Sequence, residues 1–127
     1  MKSGSKLRED PTWKEAMSLA DFMHKQASRI EDDHLDEKYG LPSRLKSSAN
    51  DVLNYVSQAT TMSTPRGEAY EWLDAKKFAF SMQSMYILAS KQELIELDPK
   101  IIVRIDELIN NINTKLDDWE KAKASQT

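Results

Sequence analysis

The 127-residue sequence predicts an all-α fold, an antiparallel up-down-up-down four-helix bundle, and three observations carry that expectation. Apolar residues recur at alternating steps of three and four in separate segments, the period of a helix that buries one face. Pro11, Pro42, Pro65 and Pro99 each stand where such a segment begins, and proline fits the first helical turn because that N–H has no intrahelical partner. Three Gly and four Pro leave little room for a turn-rich β fold, and no strand pattern competes with the helical one.

Residues 1–9 read as a flexible leader, because Ser3, Gly4 and Ser5 offer neither stripe nor cap. The bundle spans 10–123, with helices at about 11–30, 42–62, 66–91 and 99–123 and a frayed tail at 124–127. Asp10 caps the first helix, whose face repeats Trp13, Ala16, Ala20, Met23, Ala27 and Ile30. Leu19 and Phe22 fall off that face and form a flanking strip that needs another helix or another subunit. An acidic connection follows, with Glu31, Asp32, Asp33, Asp36 and Glu37 around His34, and Gly40-Leu41-Pro42 ends it. The second helix buries Leu45, Ala49, Val52, Val56 and Ala59 at heptad-like spacing, the mark of a shallow crossing angle. The third is the most aromatic, and Tyr70, Trp72, Phe78, Phe80 and Tyr86 cover more than one stripe, so it meets several neighbours. Leu94, Ile95 and Leu97 make the next linker apolar enough to pack over the bundle end. Asp98 then caps the last helix, which carries Ile101, Ile105, Leu108, Ile112, Leu116 and Trp119.

Size allows one domain with one core. No Cys is present, so there is no disulfide framework and no thiolate chemistry. The charged N-terminus has no apolar stretch of signal-peptide type, and no run approaches the roughly 18 apolar residues that span a bilayer. A soluble, cytoplasmic protein without membrane partners is expected. The formal net charge of -3 argues against binding nucleic acid by bulk attraction, which rewards clustered Lys and Arg.

Catalytic signals are weak. Glu31 and His34 match the i, i+3 spacing of di-iron bundles, but only one copy exists and it lies in a polar connection. His24 stands beside Met23 without an acidic residue at i+4 and reads as a structural histidine. Asp117 and Asp118 are adjacent and point about 100° apart on a helix, so they cannot share a proton. There is no nucleophile elbow and no glycine-rich phosphate loop. The sequence predicts no enzyme, no cofactor and no metal site.

Basic residues group modestly, at Arg44 and Lys46 in the second helix and at Arg66, Lys76 and Lys77 in the third, with Tyr70 and Trp72 near in sequence. These five are the candidate contacts to nucleic acid or a protein partner, through phosphates or stacked rings. Ordinary surface lysine on amphipathic helices is the competing reading.

The run Tyr39-Gly40-Leu41-Pro42-Ser43-Arg44-Leu45-Lys46-Ser47-Ser48-Ala49, the helix ending Tyr86-Ile87-Leu88-Ala89 and the closing Leu116-Asp117-Asp118-Trp119 resemble a bacterial four-helix-bundle family. That family includes the protein encoded by intervening sequences in large-subunit ribosomal RNA genes and the accessory variability determinant of diversity-generating retroelements. The resemblance spans about Trp13 to Trp119. It implies a ring-like homo-oligomer, typically a pentamer, without catalytic residues. It also implies an accessory role beside a reverse transcriptase, with RNA or DNA contacted through a basic surface, and Arg44 and Lys46 fall where the family has basic residues. Intervening-sequence proteins commonly carry Ile-Pro-x-Asn-Ile-Ala-Glu-Gly in helix two, where this chain reads Val52-Leu53-Asn54-Tyr55-Val56-Ser57-Gln58-Ala59. The expected function is therefore a non-enzymatic oligomeric scaffold, with Leu19, Phe22, Trp72 and Phe80 at the oligomer interface. The alternative is a protein-only adaptor of the intervening-sequence type whose acidic segment 31–37 receives a basic partner, and the outsider is a metal-dependent enzyme.

Overall fold

A computed structural model describes residues 4–125 as five helices: α1 (Gly4–Glu9), α2 (Pro11–Asp33), α3 (Leu41–Thr61), α4 (Pro65–Lys91) and α5 (Pro99–Ser125). The starts are fixed by local chemistry. Asp10 Oδ1 accepts from the Trp13 N–H at 3.0 Å, Thr64 Oγ1 from the Gly67 N–H at 3.2 Å and Asp98 Oδ1 from the Lys100 N–H at 2.9 Å. Each satisfies an amide that the helix itself leaves unpaired. A β-carbon at Gly67 would sit 2.8 Å from Thr64 Oγ1, so the α4 cap depends on glycine there. At the start of α3 no side chain caps. Gly40 turns the chain with φ at +67°, while the Glu37 carboxylate accepts from the N–H groups of Tyr39 and Gly40 at 2.7 and 3.0 Å.

The long helices share neighbours around a common core. α3 packs on α2 and α4, and α5 packs on α4 and, less extensively, on α2. Trp13 Nε1 donates to Ser57 Oγ at 3.0 Å, His24 Nε2 lies 2.7 Å from Asn50 Oδ1, and Glu31 pairs with Lys46. Rising numbers on α2 thus meet falling numbers on α3. Arg104 ties α5 back to α2, its Nε donating to Glu15 Oε1 at 2.7 Å and its Nη2 to Ser18 Oγ at 2.8 Å.

The expected stripes form the core. Ala16, Ala20, Met23, Ala27 and Ile30 of α2, Leu45, Ala49, Val52, Val56 and Ala59 of α3, and Ile101, Ile105, Leu108 and Ile112 of α5 are all buried. Burying one such Ile or Leu side chain is worth about 1.5–3 kcal/mol. Leu116 and the linker residues Ile95 and Leu97 pack against this core from the edge.

Three local departures from the sequence reading have physical causes. Part of the leader is helical: α1 carries one half-buried apolar residue, Leu7, too little to write a stripe, yet it packs against α2 and α3, and the Leu7 carbonyl accepts from the Asp10 N–H at 3.1 Å. Met1–Ser3 and the last two residues of the expected tail lie outside the described residues. Helix α2 runs on through Glu31, Asp32 and Asp33, although acidic residues oppose the dipole at a helix C-terminus. It ends only where the His34 N–H donates to the Ile30 carbonyl at 2.9 Å. Helix α5 likewise continues through Ala124 to Ser125.

Tyr86 is the largest fully buried side chain. Its ring meets Phe22 edge-on at 5.7 Å, and its hydroxyl oxygen accepts from the Asp98 N–H at 2.8 Å, joining α4 to the start of α5. Burial pushes the phenol pKa above its ordinary value of 10.0, and the charge of Asp98 adds to that shift, while the hydrogen bond from the Asp98 backbone opposes it. Tyr86→Phe leaves the Asp98 N–H unmet and is expected to lower unfolding stability by about 1–2 kcal/mol at neutral pH. A raised folded-state pKa keeps the tyrosine's contribution intact below pH 10.0 and removes it as pH climbs through the folded value. Denaturant midpoints of the two proteins should therefore converge above that pH, and a constant gap would contradict the assignment.

Candidate functional site

At one end of the molecule the first turns of α4 and the last turns of α5 bring two ring-and-cation pairs together. Helical spacing makes each pair: Arg66 and Tyr70 are four apart on α4, and Trp119 and Lys123 four apart on α5. The Arg66 guanidinium lies 5.9 Å from the Tyr70 ring centre, and the Lys123 ammonium 5.2 Å from that of Trp119. Together with Pro65 and Ala122 these residues line an open cleft of about 600 Å³. A smaller cleft of about 280 Å³ adjoins it over Trp72, whose indole Nε1 donates to Glu68 Oε1 at 3.2 Å and whose ring has the Lys115 ammonium 6.0 Å away. Exposed cation–π pairs are worth only about 0.5–1 kcal/mol each. Their rings and charges therefore remain available to a flat, negatively charged ligand, stacking on π-faces while guanidinium and ammonium meet anionic oxygen.

A second trough runs between α3 and α4. Arg44, Ser43, Ser47 and Asp51 face Phe78, Ser81 and Met85 across about 500 Å³. Phe78 stacks flat on Tyr55, with centres 5.3 Å apart and planes 3° from parallel, and the Lys77 ammonium lies 5.3 Å from the Phe78 ring. Arg44 lines this groove, while Lys77 lies beside the Phe78 ring without lining it.

The expected contact residues divide accordingly. Arg66 stands in the end cleft, Arg44 lines the trough, and Lys77 lies beside the Phe78 ring at its edge. Lys46 is engaged by Glu31 of α2, and Lys76 is half-buried on α4 away from both grooves. Among the expected interface residues two need correction. Leu19 is 0% exposed and Trp72 2% exposed, because α2 and α4 turn these positions into the chain's own core, so neither forms a surface strip. Phe22 is half-buried against Tyr86. Phe80 is 48% exposed and shares the outer surface of α4 with Tyr70, Leu73 and Leu88. Met17 on α2 is exposed as well.

Trp119, Lys123, Tyr55 and Phe78 are site residues that sequence reasoning did not single out. Trp119 closes a regular stripe, which reads as core, yet it is only half-buried. Lys123, four residues on, was the available signal. Glu31 and His34 do not converge with further ligands, and among the described residues no group of three or more His, Asp or Glu is placed to hold a metal ion. No described helix is long and apolar enough to cross a membrane. No family model, curated protein or solved structure matches the chain.

The end cleft should mark itself in tryptophan fluorescence. Iodide, an anion drawn to Arg66 and Lys123, is expected to quench a fraction of the emission that disappears in Trp119→Phe and persists in Trp72→Phe. Equal loss of the quenchable fraction in both variants would contradict the geometry.

Proposed function

We propose that this chain is a non-enzymatic scaffold, an antiparallel up-down-up-down four-helix bundle that assembles as a ring-like homo-oligomer in the cytoplasm and binds nucleic acid. In that reading it serves as the accessory partner of a reverse transcriptase in a diversity-generating retroelement. The observation that carries the binding role is the end cleft, where Arg66 over Tyr70 and Lys123 over Trp119 frame one opening. Single strands are favoured over duplex, because exposed bases stack on aromatic rings whatever their sequence. An acidic chain can hold a polyanion when its few cations are grouped beside rings and repeated by symmetry, so that weak contacts add.

The assembly is supported by the outer surface of α4. Tyr70, Leu73, Phe80 and Leu88 are large, apolar and exposed on one helix, a grouping that a monomer leaves in contact with water. Tyr70 belongs both to this surface and to the cleft, so self-association along α4 would set clefts beside one another.

Anisotropy of a labelled single strand of about 20 nucleotides tests the binding role. Affinity should fall linearly with salt on logarithmic axes, and Arg66→Glu with Lys123→Glu should lower it at least about tenfold, whereas Lys25→Glu, remote on α2, should not. Negligible binding by the unaltered protein would remove the role. Light scattering tests the assembly: the 14.6-kDa chain is expected as a multimer at micromolar concentration, and Leu73→Glu with Phe80→Glu as a folded monomer.

A further inference from the structure

Far from the end cleft, α2 and the connection between α4 and α5 enclose a separate hollow of about 570 Å³. Its floor is Phe22, held edge-on to Tyr86, and Ile95 and Leu97 form the apolar wall. The wall is fixed in place. Glu93 takes a left-handed turn with φ at +61°, the Leu94 N–H donates to the Ala89 carbonyl at 3.0 Å, and Tyr86 holds the Asp98 N–H. A hollow built this way is ordered before any ligand arrives, which lowers the cost of binding.

Gln26 is the feature the fold does not explain. It is 7% exposed, lines the hollow, and its carboxamide makes no hydrogen bond among the described residues. The one fully covered side-chain polar atom without a partner among those residues is Glu71 Oε2, on α4, so the polar atoms of Gln26 reach water through the hollow itself. Open to solvent only within the hollow, that amide presents a donor and an acceptor side by side. A peptide group offers the complementary pair.

Charge selects among peptides. Asp33, Glu96 and Asp98 line the same hollow against Arg29 alone, and the adjoining hollow, which shares Leu94, adds Asp36, Glu37 and Glu93 against Lys38. Such a rim repels phosphates and draws cations. We propose that this hollow docks a short extended segment of a partner protein, with its backbone amide on Gln26, an apolar side chain on Phe22, Ile95 and Leu97, and a Lys or Arg at the rim beside Asp33 and Glu96. The site is independent of the nucleic-acid role proposed above, and its volume falls within the roughly 300–1,000 Å³ of ligand pockets.

Amide NMR spectra of the full chain, titrated with the capped tetrapeptide acetyl-Lys-Leu-Lys-Leu-amide, test the proposal. Shifts are expected at the Gln26 side-chain NH₂ and at the backbone amides of residues 93–97, and the acidic counterpart acetyl-Glu-Leu-Glu-Leu-amide should produce none there. Gln26→Leu should weaken the basic peptide at least about fivefold, as loss of a hydrogen-bonding pair requires. Asp33→Asn with Glu96→Gln, both on the rim, should erase the preference for the basic peptide without relying on the buried position. Arg66→Glu with Lys123→Glu should bind the peptide like the unaltered protein, which separates this site from the end cleft. No binding, shifts outside the hollow, equal response to both peptides, or unchanged affinity in the Asp33/Glu96 variant would each overturn it.

Discussion

The close approach of helices over alanine governs the rest of the structure. Ala16, Ala20 and Ala27 on α2, Ala49 and Ala59 on α3, and Ala69, Ala75, Ala79 and Ala89 on α4 all lie in the interior. Small residues at the contact bring helix axes toward the short end of the usual 8–10 Å range. A core so narrow has few places for large rings, and on α4 the consequence is an inversion of the usual pattern: much of its small surface is inside while Tyr70, Leu73, Phe80 and Leu88 face out. The exposed apolar surface is therefore a product of the packing that makes the core, not an accident beside it. Relocating those side chains inward would overpack the interior, which costs about 1–3 kcal/mol per insertion.

Tyr86 and Trp72 are the large aromatics that α4 does place inside, and each brings a polar tip to a partner. The Tyr86 hydroxyl meets the Asp98 N–H, and the Trp72 indole N–H meets Glu68. Buried tyrosine and tryptophan require such partners. The Tyr86 bond does more than satisfy a donor, because Asp98 also caps α5 through Lys100. One phenol thus anchors the residue that starts the last helix, and the linker running up to that residue supplies the Ile95 and Leu97 wall of the Gln26 hollow. Core packing and surface chemistry meet at that point.

Most of the fold was legible because it depends on period and punctuation. The heptad-like set Leu45, Ala49, Val52, Val56 and Ala59 is buried throughout, and Pro11, Pro65 and Pro99 each stand at the first residue of a helix. What the sequence could not show is which side of a helix rich in apolar residues turns inward. On α4 almost every side carries one, so period gives no direction, and size points the wrong way: Trp72 lies inside with the alanines, not at the surface. Leu19 failed for a related reason, since a residue off the main stripe of α2 is buried once helices lie on two sides of it. The site was less legible still. Arg66 over Tyr70 follows from i, i+4 spacing on one helix, but its convergence with Trp119 and Lys123 depends on where α5 ends relative to α4. Likewise Gln26 looks like any surface glutamine until the linker 92–98 folds over it.

The two ends of the molecule then differ in kind, and the difference has a consequence for orientation. One end joins rings to Arg66 and Lys123; at the other, Asp33, Asp36, Glu37, Glu93, Glu96 and Asp98 gather around the termini of α2 and α4. A net charge of -3 describes only the average over the surface, whereas over the Debye length of about 8–10 Å that physiological salt allows, the local groups of each end decide. Under the two proposed roles, a polyanion would be drawn to the ring-bearing end and a basic protein segment to the opposite one. Two ligands of opposite charge would then sit apart on one rigid chain without competing. In an assembly of several copies the same polarity would repeat with each copy.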